Sequence, residues 1–531
     1  MNTGDIIEAR IIDTNANGAG IAKIDGAAVF IGGSVEGDLV KAEIISHEKN
    51  YYTAKLIEII EESEYRITPE CANFSLCGGC TLGNINFEYE NKIKKQTVTS
   101  AFRRAGLDYA IVGDTLHTDE RKHYRNNITL HYNGGKFGYY AEKTNVAVDF
   151  GKCLLSPASF YAVADYVNAH ISDIGMFAPS DMHIRDNSAG DITVSIYTGK
   201  KVPEPKKDEF RGRFLRNFSE ESTKYTVNFV CGNTGASVID DRIFGLDMRF
   251  SSEAFRQVNT SAFEKLLDVV CSMAEDCKFT FCADLYCGSG IIGLAIAKTI
   301  PNKRFIGIEI NPDSIRDAKV NAKINGIGNI EFFAGDSADL KKHLNDGALP
   351  ELITVDPPRA GLSKKMCADI VSVNPDNIIY VSCNPQTLVR DLKFFAENGY
   401  SIEEAIPVNL FPYTKHVETV VLLSHKKADS YIHIDVEFGE GEGKIPVDSI
   451  AKRAEAYKPK EKVTYKMIKE YIEAKYGFKV HTAYIAEVKR NLGLPMYDAP
   501  NAVEELKQPR KHPTPEKVEA IKDALRYFAV I

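Results

Sequence analysis

The run FTFCADLYCGSGIIGLAIAKTI, residues 279–300, decides the fold class. An apolar stretch closes on Asp284, a turn carries Cys287-Gly288-Ser289-Gly290, and an apolar helical run starts directly after it. Glycines in such a turn let the chain reverse tightly and bring its backbone against a ligand at the carboxyl edge of a sheet. The same rhythm continues downstream. RFIGIEI (304–310) ends its strand in Glu309, NIEFFAGD (329–336) in Asp336, and ELITVDPPRAGL (351–362) in Asp356. NIIYVSCNPQTLVRDL (377–392) then ends its strand in Ser382-Cys383-Asn384-Pro385. Short apolar strands alternating with helices over residues 251–427 predict a parallel, Rossmann-like α/β domain.

Each strand end in that domain offers chemistry. Glu309 follows the glycines by about 20 residues, the spacing of a carboxylate that hydrogen-bonds ribose hydroxyls. The loop reads D-x-x-C-G-x-G rather than G-x-G-x-x-G, and an acid ends each following strand. Both points favour S-adenosylmethionine over NAD as its ligand. Pro357 and Pro358 force the chain to turn beside that ligand. Cys383, at a strand's carboxyl end, faces the ligand crevice, where a thiolate can act as nucleophile, although most free cysteines are merely small buried side chains. FPYTKHVETVVLLS (411–424) adds His416 and Glu418 before a last apolar strand, and an acid beside a nucleophile and a methyl donor invites a base role.

Outside this domain the pattern changes. Residues 1–60 read as five short strands of period two broken by glycine turns, which predicts a small OB-type β-barrel. CANFSLCGGC (71–80) presents Cys71, Cys77 and Cys80, and Cys153 is a distant fourth thiol. Four thiolates suit tetrahedral zinc or a [4Fe–4S] cluster, and spacing alone does not choose. Residues 61–250 form a central α+β domain with one helix near 86–106 and strands beyond it. Residues 428–531 read as a small helical extension, helix-turn-helix-like, with Lys489 and Arg490 on its second helix.

Composition bounds the function classes. With 531 residues, 44% hydrophobic and 26% charged, the chain is a multi-domain globular protein. No apolar run approaches the roughly 18 residues of a membrane helix, and no secretory signal opens the sequence. Eleven cysteines without an export signal suit metal, cluster or catalytic thiols, and a cytoplasmic setting. The net charge of −8 is no argument for nucleic acid. Local charge permits it: residues 444–531 carry 18 basic against 12 acidic side chains, and Lys92 to Arg125 gathers another basic cluster.

DLYCGSG, DPPRAGL, SCNPQTLVRDL and FPYTKHVETV, with EAFRQVN at Glu253–Asn259, together resemble the RNA uracil-C5 methyltransferases of ribosomal and transfer RNA. The resemblance runs in order over about 425 residues. It implies Cys383 as nucleophile, Glu418 as general base, and Gln257, Tyr286, Glu309, Asp336 and Asp356 as S-adenosylmethionine contacts. One family variant carries Asn after the last glycine of the loop, where this chain has Ile291. The barrel resembles the RNA-binding TRAM domain. The subgroup with matching cysteines carries a [4Fe–4S] cluster, which would make Cys71, Cys77, Cys80 and Cys153 its ligands. Barrel and cysteines together imply 23S ribosomal RNA as partner, with transfer RNA as the alternative substrate. A cluster-bearing RNA-binding protein with an inactive core is the alternative of another class. No membrane and no obligate protein partner is implied.

Overall fold

The computed structural model describes residues 1–425 except 75, 143, 219–222, 233–237, 252–253 and 345–346. Beyond them it describes 465–478, 480, 484–485, 488–489, 492 and 514–527. Glu253 of the expected motif and Arg490 of the tail lie outside these residues. The chain divides into two compact units, residues 1–429 and 430–531.

The barrel has six strands rather than five: β1 (Ile6–Arg10), β2 (Asp13–Thr14), β3 (Ala19–Ile24), β4 (Ala27–Gly32), β5 (Leu39–Glu48) and β6 (Tyr51–Glu61). The extra strand is two residues long, too short to show as a period of its own. Their order is β1-β5-β6-β4-β3-β2, and alternate residues such as Ala22, Val29, Ile31, Val40, Ala42 and Ile44 fill the interior.

An irregular segment with three of the cysteines leads into helix α1 (Phe87–Ala105), capped by Asn86 and closed by Gly106 in the left-handed conformation. The central sheet uses β7 (Asn127–Asn133), β8 (Lys136–Tyr140), β9 (Ala147–Asp149), β10 (Pro179–Asp186), β11 (Ile192–Thr198) and β12 (Tyr225–Val230). Its order is β12-β11-β10-β7-β8-β9, with α2 (Ala158–Ala169) and α3 (Glu204–Asn217) packed on its apolar face.

The hairpin β13 (Val238–Ile243) and β14 (Leu246–Ser251) falls before the expected boundary at residue 250. Its Ile243, Leu246, Met248 and Phe250 nonetheless share a core with the α/β domain. That domain comprises α4 (Thr260–Asp276), β15 (Phe281–Leu285), α5 (Ile291–Thr299), β16 (Arg304–Glu309), α6 (Pro312–Ile324), β17 (Ile330–Ala334), β18 (Leu352–Val355), α7 (Lys364–Val373), β19 (Asn377–Ser382), α8 (Pro385–Glu397), β20 (Tyr400–Val408) and β21 (Glu418–His425). The sheet order is β17-β16-β15-β18-β19-β21-β20. All neighbours run parallel except β21, which is antiparallel to both β19 and β20. Helices α4, α5 and α6 bury one face, while α7, α8 and α1 bury the other. The Rossmann-like sheet expected from the sequence is present but not wholly parallel, because β21 enters antiparallel, and α1 of the central region is recruited as an extra covering helix.

In the second unit α9 (Tyr465–Tyr476) and α10 (Pro515–Tyr527) close over Ile468, Ile472, Ile485, Val488, Ile521 and Leu525. Much of the expected middle helix lies outside the described residues, although Lys489 is within them. Among the described residues no helix is long and apolar enough to cross a membrane.

Candidate active site

The carboxyl edge of the α/β sheet opens into a cavity of about 770 Å³. Its walls include Gln257, Tyr286, Glu309, Asp356, Cys383 and Glu418, which the sequence had scattered over 162 positions. The turn after β15 makes the floor. Tyr286, Gly288 and Gly290 all take positive φ there, at 61°, 54° and 86°. A side chain at Gly290 would strike the Phe332 ring at 2.7 Å, so the turn can close against the sheet only with glycine. Glu309, at the end of β16, accepts from the Gly288 N–H at 3.3 Å and the Asn311 N–H at 2.8 Å. It is therefore fixed at the cavity wall, where it can receive hydroxyl donors.

Asp284 has a different task from the other acids. It lies inside β15, fully buried, and accepts from the Thr354 hydroxyl at 2.7 Å and the Gly293 N–H at 2.9 Å. It pins the first turn of α5 to the neighbouring strand and does not line the cavity. Asp336 does not line it either. It caps the 3₁₀ turn after β17 by accepting from the Ala338 N–H at 2.9 Å, and it lies within electrostatic reach of Tyr286. Of the five expected cofactor contacts, four share the cavity and Asp336 does not line it.

Cys383 and Glu418 arrive from opposite directions. Cys383 follows the parallel strand β19, and its chain is turned outward by the Asn384 cap of α8. Glu418 is the first residue of β21. Because β21 is antiparallel, its beginning lies at the same edge as the ends of the parallel strands. The register pairs Ser382 with Thr419, so the residue after one and the residue before the other come together in the cavity wall. Burial pushes the Glu418 carboxyl up to about 8, assisted by Asp356 and opposed by the Arg359 guanidinium. Burial, then Glu418, then Asp356 push the Cys383 thiol up to about 11, again opposed by Arg359. Asp356 rises to about 7 through burial and Asp284.

Two wall residues had no assigned part in the sequence reading. The Arg359 guanidinium opposes the upward shift of both Cys383 and Glu418, and its Nη2 lies 3.4 Å from Nδ1 of His416. Burial, then Arg359, hold His416 down to about 4, so the ring is neutral. Arg359 directly follows the two prolines that turn the chain into the cavity, and that position was the available signal.

The four cysteines converge. Burial pushes the Cys80 thiol up to about 12, followed by the fields of Cys153, Cys77 and Cys71, with Arg125 opposing. The thiols thus lie within one another's field, although no group of three or more donors among the described residues is arranged to hold a metal ion. The basic stretch of the sequence is partly spent inside the fold. Lys94 is buried, Arg121 pairs with Glu90 at 3.0 Å, and Arg125 is turned toward the cysteines. Lys92, Arg103 and Arg104 remain exposed.

Residues 237–426 match the tRNA (uracil-5-)-methyltransferase family model, and residues 2–57 match the TRAM domain. An uncharacterized RNA methyltransferase of Clostridium acetobutylicum is 33% identical over 446 residues, covering 78% of this chain and 96% of the relative. One from Halalkalibacterium halodurans is 30% identical, covering 80% and 98%. The crystal structure of Pyrococcus abyssi tRNA (uracil-54, C5)-methyltransferase, solved with S-adenosyl-L-homocysteine, superposes with a TM-score of 0.63 at 22% identity. It covers 78% of this chain and 99% of that one, a likeness of fold.

Proposed function

The chain belongs to the RNA uracil-C5 methyltransferase family, and from that premise we propose that it methylates uridine C5 in 23S ribosomal RNA through a covalent adduct on Cys383. The observation that carries the mechanism is the meeting of Cys383 with Glu418 in the cavity wall. Glu418 is 4% exposed and its carboxyl receives no hydrogen bond among the described residues. A buried acid left without donors is costly in a purely structural role and is a common mark of a reacting group.

S-adenosylmethionine supplies the electrophilic methyl group, and Gln257, Tyr286, Glu309 and Asp356 are the residues we assign to hold it. Uracil C5 is too weak a nucleophile to take that methyl unaided. Attack of the Cys383 thiolate on C6 forms a C–S bond and places the electron pair of the C5–C6 double bond on C5. C5 takes the methyl, and Glu418 then removes the C5 proton, so the double bond re-forms as the C–S bond breaks. A base with a pKa near the working pH is best matched to this transfer. The target base must leave its stack to reach the pocket.

The ribosomal assignment is supported by the barrel and the four converging cysteines occurring in one chain. We assign Cys71, Cys77, Cys80 and Cys153 as ligands of a [4Fe–4S] cluster, and a cytoplasmic setting. The donor chemistry fits such a cluster, and methyl transfer needs no redox step from it. Mapping 5-methyluridine in RNA from cells lacking the protein tests the substrate: loss from 23S RNA is expected, and loss confined to transfer RNA overturns the ribosomal assignment. Cys383→Ala should abolish both methyl transfer and adduct. Retained methylation by that variant overturns the mechanism.

A further inference from the structure

Residues 409–417 carry the chain from β20 to Glu418. At their centre Tyr413 takes φ 66°, a left-handed conformation that a non-glycine residue keeps only when its surroundings impose it. Those surroundings come largely from α1, more than 300 positions earlier. Glu90 is fully buried, and its carboxylate accepts the Tyr413 N–H at 3.0 and 3.1 Å and the Asn409 amide at 2.9 Å. Lys94, one turn along the same helix face, pairs with Glu90 at 3.1 Å. It donates to the Phe411 carbonyl at 2.9 Å and to the Asn409 side-chain oxygen. Arg121 donates to Glu90 at 3.0 Å and lies 4.2 Å over the Tyr413 ring. The Tyr124 hydroxyl donates to the Pro412 carbonyl at 3.1 Å, and the Leu82 N–H to the Tyr413 carbonyl at 2.9 Å.

Apolar side chains could hold this loop at least as firmly, because removing three charges from water offsets much of their attraction. Directional bonds to backbone groups give a fixed loop geometry instead. We propose that Glu90 and Lys94 are positioning residues that set the 409–417 loop so that Glu418 meets the C5 proton of the methylated adduct. This inference rests on the reading of Glu418 as general base. Cys383 leaves β19 outside this network. Disturbing the network should therefore slow release of the product while leaving nucleophilic attack and methyl transfer nearly intact.

The test uses the full chain, RNA extracted from cells lacking this protein, and methyl-labelled S-adenosylmethionine. Single-turnover methyl incorporation is followed beside the protein–RNA band that survives denaturation. Lys94→Met and Glu90→Gln should change methyl incorporation less than about threefold but slow decay of the band by roughly 10- to 100-fold, the cost of a misplacement near 1 Å. Tyr124→Phe keeps the packing and removes one loop bond, so a several-fold slowing is expected even where a charge variant does not fold. Glu418→Gln is the control. If it traps no band, the base reading fails. If it traps the band while Tyr124→Phe and every folded charge variant release normally, or slow both steps equally, the positioning role is wrong.

Discussion

Replacing Glu418 by glutamine should make Cys383 a better nucleophile toward a small alkylating agent, and only above the pH at which Glu418 ionises. The thiol stands at about 11 against an ordinary 9.0, with burial the first cause and Glu418 the second. Burial ranks ahead of Glu418, and Arg359 opposes both, so removing the Glu418 charge should recover part of that rise, on the order of tenfold in thiolate at a given pH. Glu418 is itself uncharged below about 8, so under that pH the two proteins should react alike. The assay is iodoacetamide labelling of the cofactor-free protein between pH 6.5 and 10, with the Cys383 peptide quantified by mass spectrometry. The ratio of variant to wild-type rate should lie near one at pH 7 and climb to about three- to tenfold by pH 9.5. A ratio that stays at one throughout would refute the claim that the two groups share a field.

Purified without oxygen, the protein should be brown and carry about four irons per chain, falling on substitution of Cys71, Cys77, Cys80 or Cys153. Stoichiometric zinc without visible absorbance would overturn the cluster. Arg256→Met breaks a buried pair with Asp241 at 2.7 Å and two bonds to the carbonyls of Asn126 and Asp186. Urea unfolding should register a loss of about 3–5 kcal/mol, and a loss below 1 kcal/mol would contradict the reading. Replacing exposed Lys92, Arg103 and Arg104 together by glutamine should weaken RNA binding and flatten its log–log salt dependence by about two, and an unchanged slope would exclude them from phosphate contact.

The sequence exposed the parallel strands and their terminal acids because each strand is a short apolar run ended by a turn, and those signals are local. It exposed Cys383 for the same reason. The partnership of Cys383 with Glu418 was not local: it depends on β21 entering antiparallel between β19 and β20, a pairing that no short pattern encodes. The fates of Lys94, Arg121 and Arg125 were equally hidden. A basic residue reads as surface until the acid it faces is known, and Glu90 meets loop residues far away in the chain. The hairpin at 238–251 reads as more central-domain strand because its register does not reveal which sheet it covers.

The four acids along the sheet edge show how hydrogen-bond inventory separates scaffold from chemistry where sequence position does not. Asp284, Glu309, Asp356 and Glu418 all sit at or near strand ends. Asp284 holds one hydroxyl and one amide donor, so its carboxylate is satisfied and joins β15, α5 and β18. Glu309 uses two amides from the loops on either side of β16, which orients it while leaving it on the cavity wall. Asp356 and Glu418 are held by no hydrogen bond to their carboxyls among the described residues, and each is pushed up by burial and by another acid. The two hydrogen-bonded acids hold strands and loops in place, whereas the other two keep their capacity for an incoming ligand. Charge balance points the same way. Asp356 raises both Cys383 and Glu418, and Arg359 opposes it at both. On the proposed mechanism, a positively charged sulfonium donor would complement these acids and would favour the Cys383 thiolate.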